Sequence, residues 1–388
     1  MAYDVLQPVA DVALAHIQLL HQQSLGKSIR VHSAQGGFPE LRGTQVAIIG
    51  ICEQRNDRNH LGEALSFVEV RRAFYELFPG NWHATIADLG DIHQGETVED
   101  TYFAVKSITE ALVKASIVPL FLGGSQDLVY PMYRAYDGLE QMVNLVNVDS
   151  RFDMGDASQS IHNQSYVGKI IVDKPYNLFN YSNVGFQTYF NPQEEIDLMD
   201  KLHFDAYRLG NVTANLSSVE PVMRDADLVA IDMGAIKSCE LSYKHSKTPN
   251  GFDGKEICAI ARYAGISDRV SAFGIFEYKN DLQEETAAML VAQMMWYFIE
   301  GVNFRAGENM DIEKGNFLTY QVPIEDEVLT FYKSDKTERW WIEIPFILGL
   351  NNKLKRRTLL PCTYQDYLDA CNQSIPERWF KARKKNEI

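Results

Sequence analysis

Short runs of β-branched and other apolar residues alternate along the chain with longer stretches whose apolar positions recur at helical spacing. This pattern predicts a mostly parallel central sheet with helices on its faces. Gln45–Ile51, Ala84–Leu89, Val118–Leu122, Val143–Val148, Leu178–Asn180, Asn183–Phe186, Ala206–Arg208, Leu228–Ile231 and Val270–Phe276 are expected as strands. Glu99–Ala115, Leu128–Tyr136, Gln193–Lys201, Gly254–Ala264 and Glu284–Glu300 are expected as helices. Pro192-Gln-Glu-Glu195 and Asp281-Leu-Gln-Glu284 have the acids and caps of helix N-termini. Near the start, Val9, Val12, Ile17 and Leu20 suit one face of a short helix. Past about Gly301 the alternation stops. Phe317–Val322, Val328–Tyr332 and Trp340–Ile344 then read as antiparallel strands with a turn at Ser334–Thr337, followed by a helical Tyr364–Cys371. In Trp340-Trp341 one ring is expected in the core, the other against a neighbouring subunit. The expected organisation is an α/β domain over residues 1–305, its first 40 residues a helical extension, and a β-rich appendage with a hairpin and basic tail over residues 306–388.

Composition narrows the function classes. With 388 residues, 46% of them hydrophobic, the chain can bury a large core, and it is neither a disordered nor a disulfide-scaffold sequence. A formal net charge of −15 argues against a general nucleic-acid binder, which needs clustered Lys and Arg. The charge is uneven: Leu350–Ile388 holds nine Lys and Arg against four Asp and Glu, net +5, leaving −20 on the rest. The run Lys353-Leu-Lys-Arg-Arg357 and the tail Arg378-Trp-Phe-Lys-Ala-Arg-Lys-Lys385 either dock an acidic partner or pack on the chain's own acidic body. Five widely spaced cysteines without a Cys-x-x-Cys pair, no signal-peptide pattern and no long apolar window lead to the expectation of a reduced, cytoplasmic protein with no membrane span.

In open α/β sheets ligands gather beyond the carboxyl ends of the strands. There the sequence places Gly123-Gly-Ser-Gln-Asp127, Asp149-Ser-Arg-Phe-Asp153, Asp232-Met-Gly234 and Phe276-Glu-Tyr278. Asp149, Asp153 and Asp232 can converge, and three carboxylates require a counter-charge, either a divalent ion with oxygen ligands or a protein cation such as Arg151. The plainer alternative is that they are loop formers and caps. Gly123-Gly124 lacks the spacing of a phosphate loop or a dinucleotide fingerprint.

In order and spacing these four segments resemble the motifs of the ureohydrolases, the arginase, agmatinase and formimidoylglutamase family, which read GGDHS, DAHxD, DxD and a final V-E-V-like strand. Asn183–Gly210 is also similar to the family's region between its second and third motifs, and the resemblance spans about residues 40–305. It implies a three-layer arginase-like fold and a homo-oligomer. Family members bind two manganese ions through two histidines and four aspartates. By position these correspond to Gln126, Asp149, Arg151, Asp153, Asp232 and Gly234, so three of six ligands are lost. Gln126, Asp149, Asp153 and Asp232 retain oxygen donors for at most one ion, manganese, magnesium or calcium, or for none. The second ion loses its site, because a guanidinium has no acceptor atom. Arg151 is expected to pair with the aspartates instead, or to bind substrate. Glu277 matches the residue that contacts the substrate guanidinium, and His162 lies near the family's proton-transfer histidine; plainer roles are a strand cap and a loop histidine. The resemblance thus implies a pseudoenzyme with a binding or assembly role, or alternatively a single-metal hydrolase of a C–N bond in a linear amidine.

Overall fold

Apolar runs without polar interruption can be buried on both sides only inside a layered sheet, and the chain builds one. A computed structural model describes residues 2–60, 62, 64–139, 141–241, 248–279, 285–308, 317–324, 327–344 and 359–387. Its main sheet comprises β1 (Leu6–Gln7), β2 (Arg30–Val31), β3 (Val46–Ile51), β4 (Ile86–Ile92), β5 (Val118–Gly123), β6 (Val143–Val148), β7 (Leu178–Phe186), β8 (Asp205–Arg208), β9 (Leu228–Asp232) and β10 (Ala272–Phe276). The strand order is β1-β4-β3-β5-β10-β9-β6-β7-β8, with β2 also on β4. The β1–β4 pair is antiparallel and the other pairs are parallel.

Alternate strand residues feed two cores. Val46, Ile48, Leu120 and Leu122 face helices Val68–Glu76, Gly254–Ile266 and Thr286–Asn303. Ala47, Ile49, Ile51 and Phe121 face helices Val98–Lys114, Val129–Arg134 and Tyr166–Val172. Each large aliphatic side chain so buried contributes about 1.5–3 kcal/mol. Thr97 with Asp100 and Asp253 with Glu256 close reciprocal capping boxes at two helix starts.

Several expectations are revised. Leu178–Asn180 and Asn183–Phe186 are one strand, because the ladder to β6 runs through Tyr181 and Ser182. The N-terminal segment is more than helical: besides helix Asp11–Leu19 it lends β1 and β2 to the sheet. The Asp281–Glu284 helix start and the Lys353–Arg357 run lie outside the described residues. Among the described residues no helix is long and apolar enough to cross a membrane.

The C-terminal strands form a separate antiparallel sheet, β11 (Phe317–Ile324), β12 (Glu327–Ser334), β13 (Trp340–Glu343) and β14 (Leu359–Cys362), in sequential order. Arg224, from the helix Val219–Asp225, holds it to the body. Its guanidinium donates to Trp340 O (3.0 Å) and Cys362 O (3.1 Å), pairs with Glu220 (3.0 Å) and lies 4.5 Å from the Trp341 ring centre. Trp340 and Trp341 are both buried within their own chain, at 8% and 2% exposure, so the expectation that one of the two rings faces outward is revised. Replacing Arg224 with methionine removes charge-assisted bonds to two buried carbonyls and is expected to cost about 2–3 kcal/mol in urea unfolding; an unchanged midpoint would contradict this anchoring.

The basic tail also folds back. In the helix Glu377–Glu387, Arg378 donates to Pro361 O (2.7 Å), Lys381 to Phe204 O (3.3 Å), and Arg383 pairs with Glu327. Lys385 bonds Asn180 Oδ1 and lies 5.7 Å from the Phe179 and Phe204 rings. Buried Trp379 donates to Glu343 O (2.7 Å). Of the two alternatives for the tail, these contacts are those of packing on the chain's own body, next to β8 at the end of the sheet.

Candidate functional site

Strands β5, β10, β9 and β6 are adjacent and parallel, so the segments leaving their carboxyl ends meet at one edge of the sheet. Those segments carry Gln126, Glu277, Asp232 and the Asp149–Asp153 loop, separated by up to 151 residues in sequence. The glycine pair at the end of β5 is explained by packing: a Cβ at Gly123 would lie 2.1 Å from the Phe276 ring and one at Gly124 2.2 Å from Glu53 O.

Asp149 and Asp153 are buried, at 1% and 3% exposure. Asp149 Oδ1 accepts from the Arg151 N–H (2.8 Å), while Asp149 Oδ2 and Asp153 Oδ2 are buried without a protein donor. Asp153 adopts a left-handed backbone, φ 54°. Burial raises the Asp149 pKa, opposed by the neighbouring Asp153 carboxyl and the Arg151 N–H. Asp153 is pushed well above the usual carboxylate range by burial and then by the charges of Asp149 and Asp232. Asp232 is raised by burial and by Asp149 and Glu277, and its Oδ1 accepts from the Gly234 N–H (2.6 Å).

The three aspartates are electrostatically coupled, but they do not offer one oxygen each within 4.8 Å of one another. The expected convergence is thus electrostatic rather than a closed three-oxygen centre, with Asp232 tied to its own turn by the Gly234 N–H. Arg151 is corrected too. It makes no ion pair with the three aspartates among the described residues. Its guanidinium donates to Phe190 O (2.8 Å) and lies 4.9 Å from the Phe190 ring centre. Its charge still lowers the Asp149 pKa. The Gln126 amide also lies close enough to lower it, yet Gln126 Nε2 is buried and makes no hydrogen bond of normal geometry.

Glu277 sits in a left-handed conformation, φ 59°, where a non-glycine residue is strained. Its N–H donates to Gly124 O (2.6 Å) and its Oε1 accepts from Gln126 N–H (2.9 Å) and Asn163 Nδ2 (3.2 Å). Lys279 Nζ lies 3.3 Å from Glu277 Oε2 and pairs with Asp57. Burial pushes Glu277 up to about 7, with Lys279 opposing and Asp57 adding to the rise. Lys279 loses hydration by burial, but Glu277 and Asp57 outweigh that and keep its ammonium charged.

His162 is not joined to this group. Its Nδ1 accepts from the Gln164 N–H (3.1 Å), and burial and then Arg58 lower its pKa. Asn163, its neighbour, instead bonds both Glu277 and Asp57. Sequence reasoning missed Asn163, Asp57 and Lys279. Lys279 had a signal: it is the cation nearest in sequence to Glu277, and a buried carboxylate needs a counter-charge.

Comparison with known proteins supplies relatives for this arrangement. Residues 44–300 match the model of the arginase family. An agmatinase from Pyrococcus horikoshii is 23% identical over 222 residues, covering 55% of this chain and 74% of that protein. Among solved structures, formiminoglutamase of Trypanosoma cruzi with Mn²⁺ superposes with a TM-score of 0.63 at 18% identity, over 73% of this chain and 99% of that one. Formimidoylglutamase from Bacillus subtilis gives 0.60 at 16% identity, over 68% and 88% of the two chains. Agmatine ureohydrolase of Thermoplasma volcanium gives 0.58 at 16% identity, over 74% and 97%. At such identities these structures establish a shared fold and leave the chemistry to the residues themselves.

Proposed function

Because the chain belongs to the arginase family, we propose that it is a pseudoenzyme of that family, in which the hydrolytic site has become a self-satisfied structural and binding element. The observation that carries this reading is Lys279: the chain's own ammonium lies against Glu277, the position that the family resemblance assigns to a substrate guanidinium. An internal cation there removes both the charge and the space that an external one needs.

The donor set supports the same reading. A two-ion centre does not fit: Gly234 has no side chain, Arg151 has no acceptor, and the Arg151 cation is held beside the cluster at Phe190. A single hard divalent ion, manganese, magnesium or calcium, finds unpartnered oxygens on Asp149 and Asp153, with Asp232 and Gln126 as further donors after a closing movement. Such an ion supplies charge stabilisation and a bound water of lowered pKa. The protein's own contribution would then be to hold that ion on the deprotonated carboxylates of Asp149 and Asp153. The pKa of about 7 on Glu277 favours, as a second reading, a single-metal hydrolase of a C–N bond in a linear amidine with Glu277 as acid or base. His162, apart from this group, gives that reading no second proton carrier.

The Lys279 reading has a direct test. Lys279→Met is expected to open Glu277 to external cations, raising affinity for guanidinium or agmatine by about 10–100-fold in calorimetry, the equivalent of one charge-assisted bond of about 1.5–3 kcal/mol. Equal binding by the variant and the natural protein would mean that Lys279 does not block the position.

A further inference from the structure

Away from the aspartate cluster, at the carboxyl ends of β3 and β4, the fold brings together Cys52, Asp91 and His93. Their ligand atoms all lie within 4.8 Å of one another. We propose that these three residues form a site for a thiophilic divalent transition ion of the zinc class, separate from the aspartate cluster.

The placement follows from strand register. Gly50 pairs with Asp91 and Ile51 with Ile92, and the Cys52 N–H donates to Ile92 O (2.8 Å), so Cys52 and His93 continue the two strands side by side. Asp91 and His93 are two apart and share a face. Gly50 makes room on that face, because a Cβ there would lie 2.0 Å from Asp91 Oδ1. Arg71 Nη1 holds both Asp91 oxygens, at 2.8 and 3.0 Å, which fixes the carboxylate and leaves lone pairs for a further partner.

One sulfur, one imidazole nitrogen and one carboxylate oxygen are the donors that zinc takes at about 2.0–2.3 Å. Charge agrees. Asp88, Asp91 and a Cys52 thiolate carry three negative charges against one positive charge on Arg71, which pairs with both aspartates, so a divalent ion closes the formal count to zero. The thiol proton leaves to solvent on binding. His93 is exposed and gives the ion its entry, and three protein ligands leave one coordination position open.

The test uses metal-free full-length protein titrated with Zn²⁺ and, for spectroscopy, with Co²⁺. The expected result is a thiolate-to-cobalt absorption band that is lost in Cys52→Ser. Zn²⁺ affinity is expected to fall in His93→Ala by more than the about 10–100-fold that loss of an outer-shell partner costs. Both signals should persist in Asp149→Ala, which separates this site from the aspartate cluster. Since His93 is exposed, its variant carries the test even if Cys52→Ser folds poorly. Absence of the band, its survival in Cys52→Ser, or a Zn²⁺ affinity indifferent to His93→Ala would overturn the proposal.

Discussion

Replacing Arg71 with methionine is expected to cost the fold about 3–5 kcal/mol, the usual penalty for removing one partner of a buried ion pair. Arg71 is 1% exposed and uses its whole guanidinium. Nε and Nη2 bind Asp88 at 2.9 and 3.1 Å, Nη1 binds Asp91, and Nη2 also donates to Gly90 O at 3.0 Å. Without it, fully buried Asp88 keeps the Tyr75 hydroxyl (2.8 Å) and the Gly90 N–H (3.0 Å), and β4 carries two carboxylates with no cation. Against a typical stability of about 5–15 kcal/mol, that loss leaves a marginal fold. Arg71→Lys retains the charge and loses the bidentate geometry, so it should fall between the two. Urea unfolding of the three proteins checks the order; a loss below about 1 kcal/mol in Arg71→Met would show that Asp88 and Asp91 do not depend on it.

Restoring the missing donors has the largest expected effect on the site. The triple change Gln126→His, Arg151→His and Gly234→Asp is expected to raise manganese content from at most one ion per chain to two, read by elemental analysis after gel filtration. Each change has room or a reason. A Cβ at Gly234 would lie 3.1 Å from Asp232 Oδ1, so that part-buried carboxyl must give by a few tenths of an ångström. Loss of the Arg151 side chain withdraws the cation held at Phe190, and a histidine at position 126 replaces an amide whose Nε2 has no good partner. A count that stays at one or below would place the obstacle in the separation of the aspartates, rather than in ligand identity.

The main sheet was legible because its strands are buried on both faces and read as unbroken apolar runs. Strands of two residues, β1 and β2, carry no period and could not be read. Helix Val68–Glu76 was hidden by its charges. Arg71 reads as a surface residue until β4 supplies Asp88 and Asp91. At the site, residue types and approximate places were readable from motif order, while pairings were not. Arg151 finds its partner 39 residues away at Phe190, and Lys279 finds Asp57 222 residues away. The basic tail shows the same limit, since charge composition says nothing of whether β7 and β8 or another molecule will receive it.

The proposed loss of two-manganese amidine hydrolysis is tested most directly in turnover. Full-length protein loaded with manganese is assayed for urea release from arginine and agmatine and for formamide release from formimidoylglutamate, beside Asp149→Ala. No release above that of the variant is expected; manganese-dependent release that Asp149→Ala abolishes would show an active hydrolase.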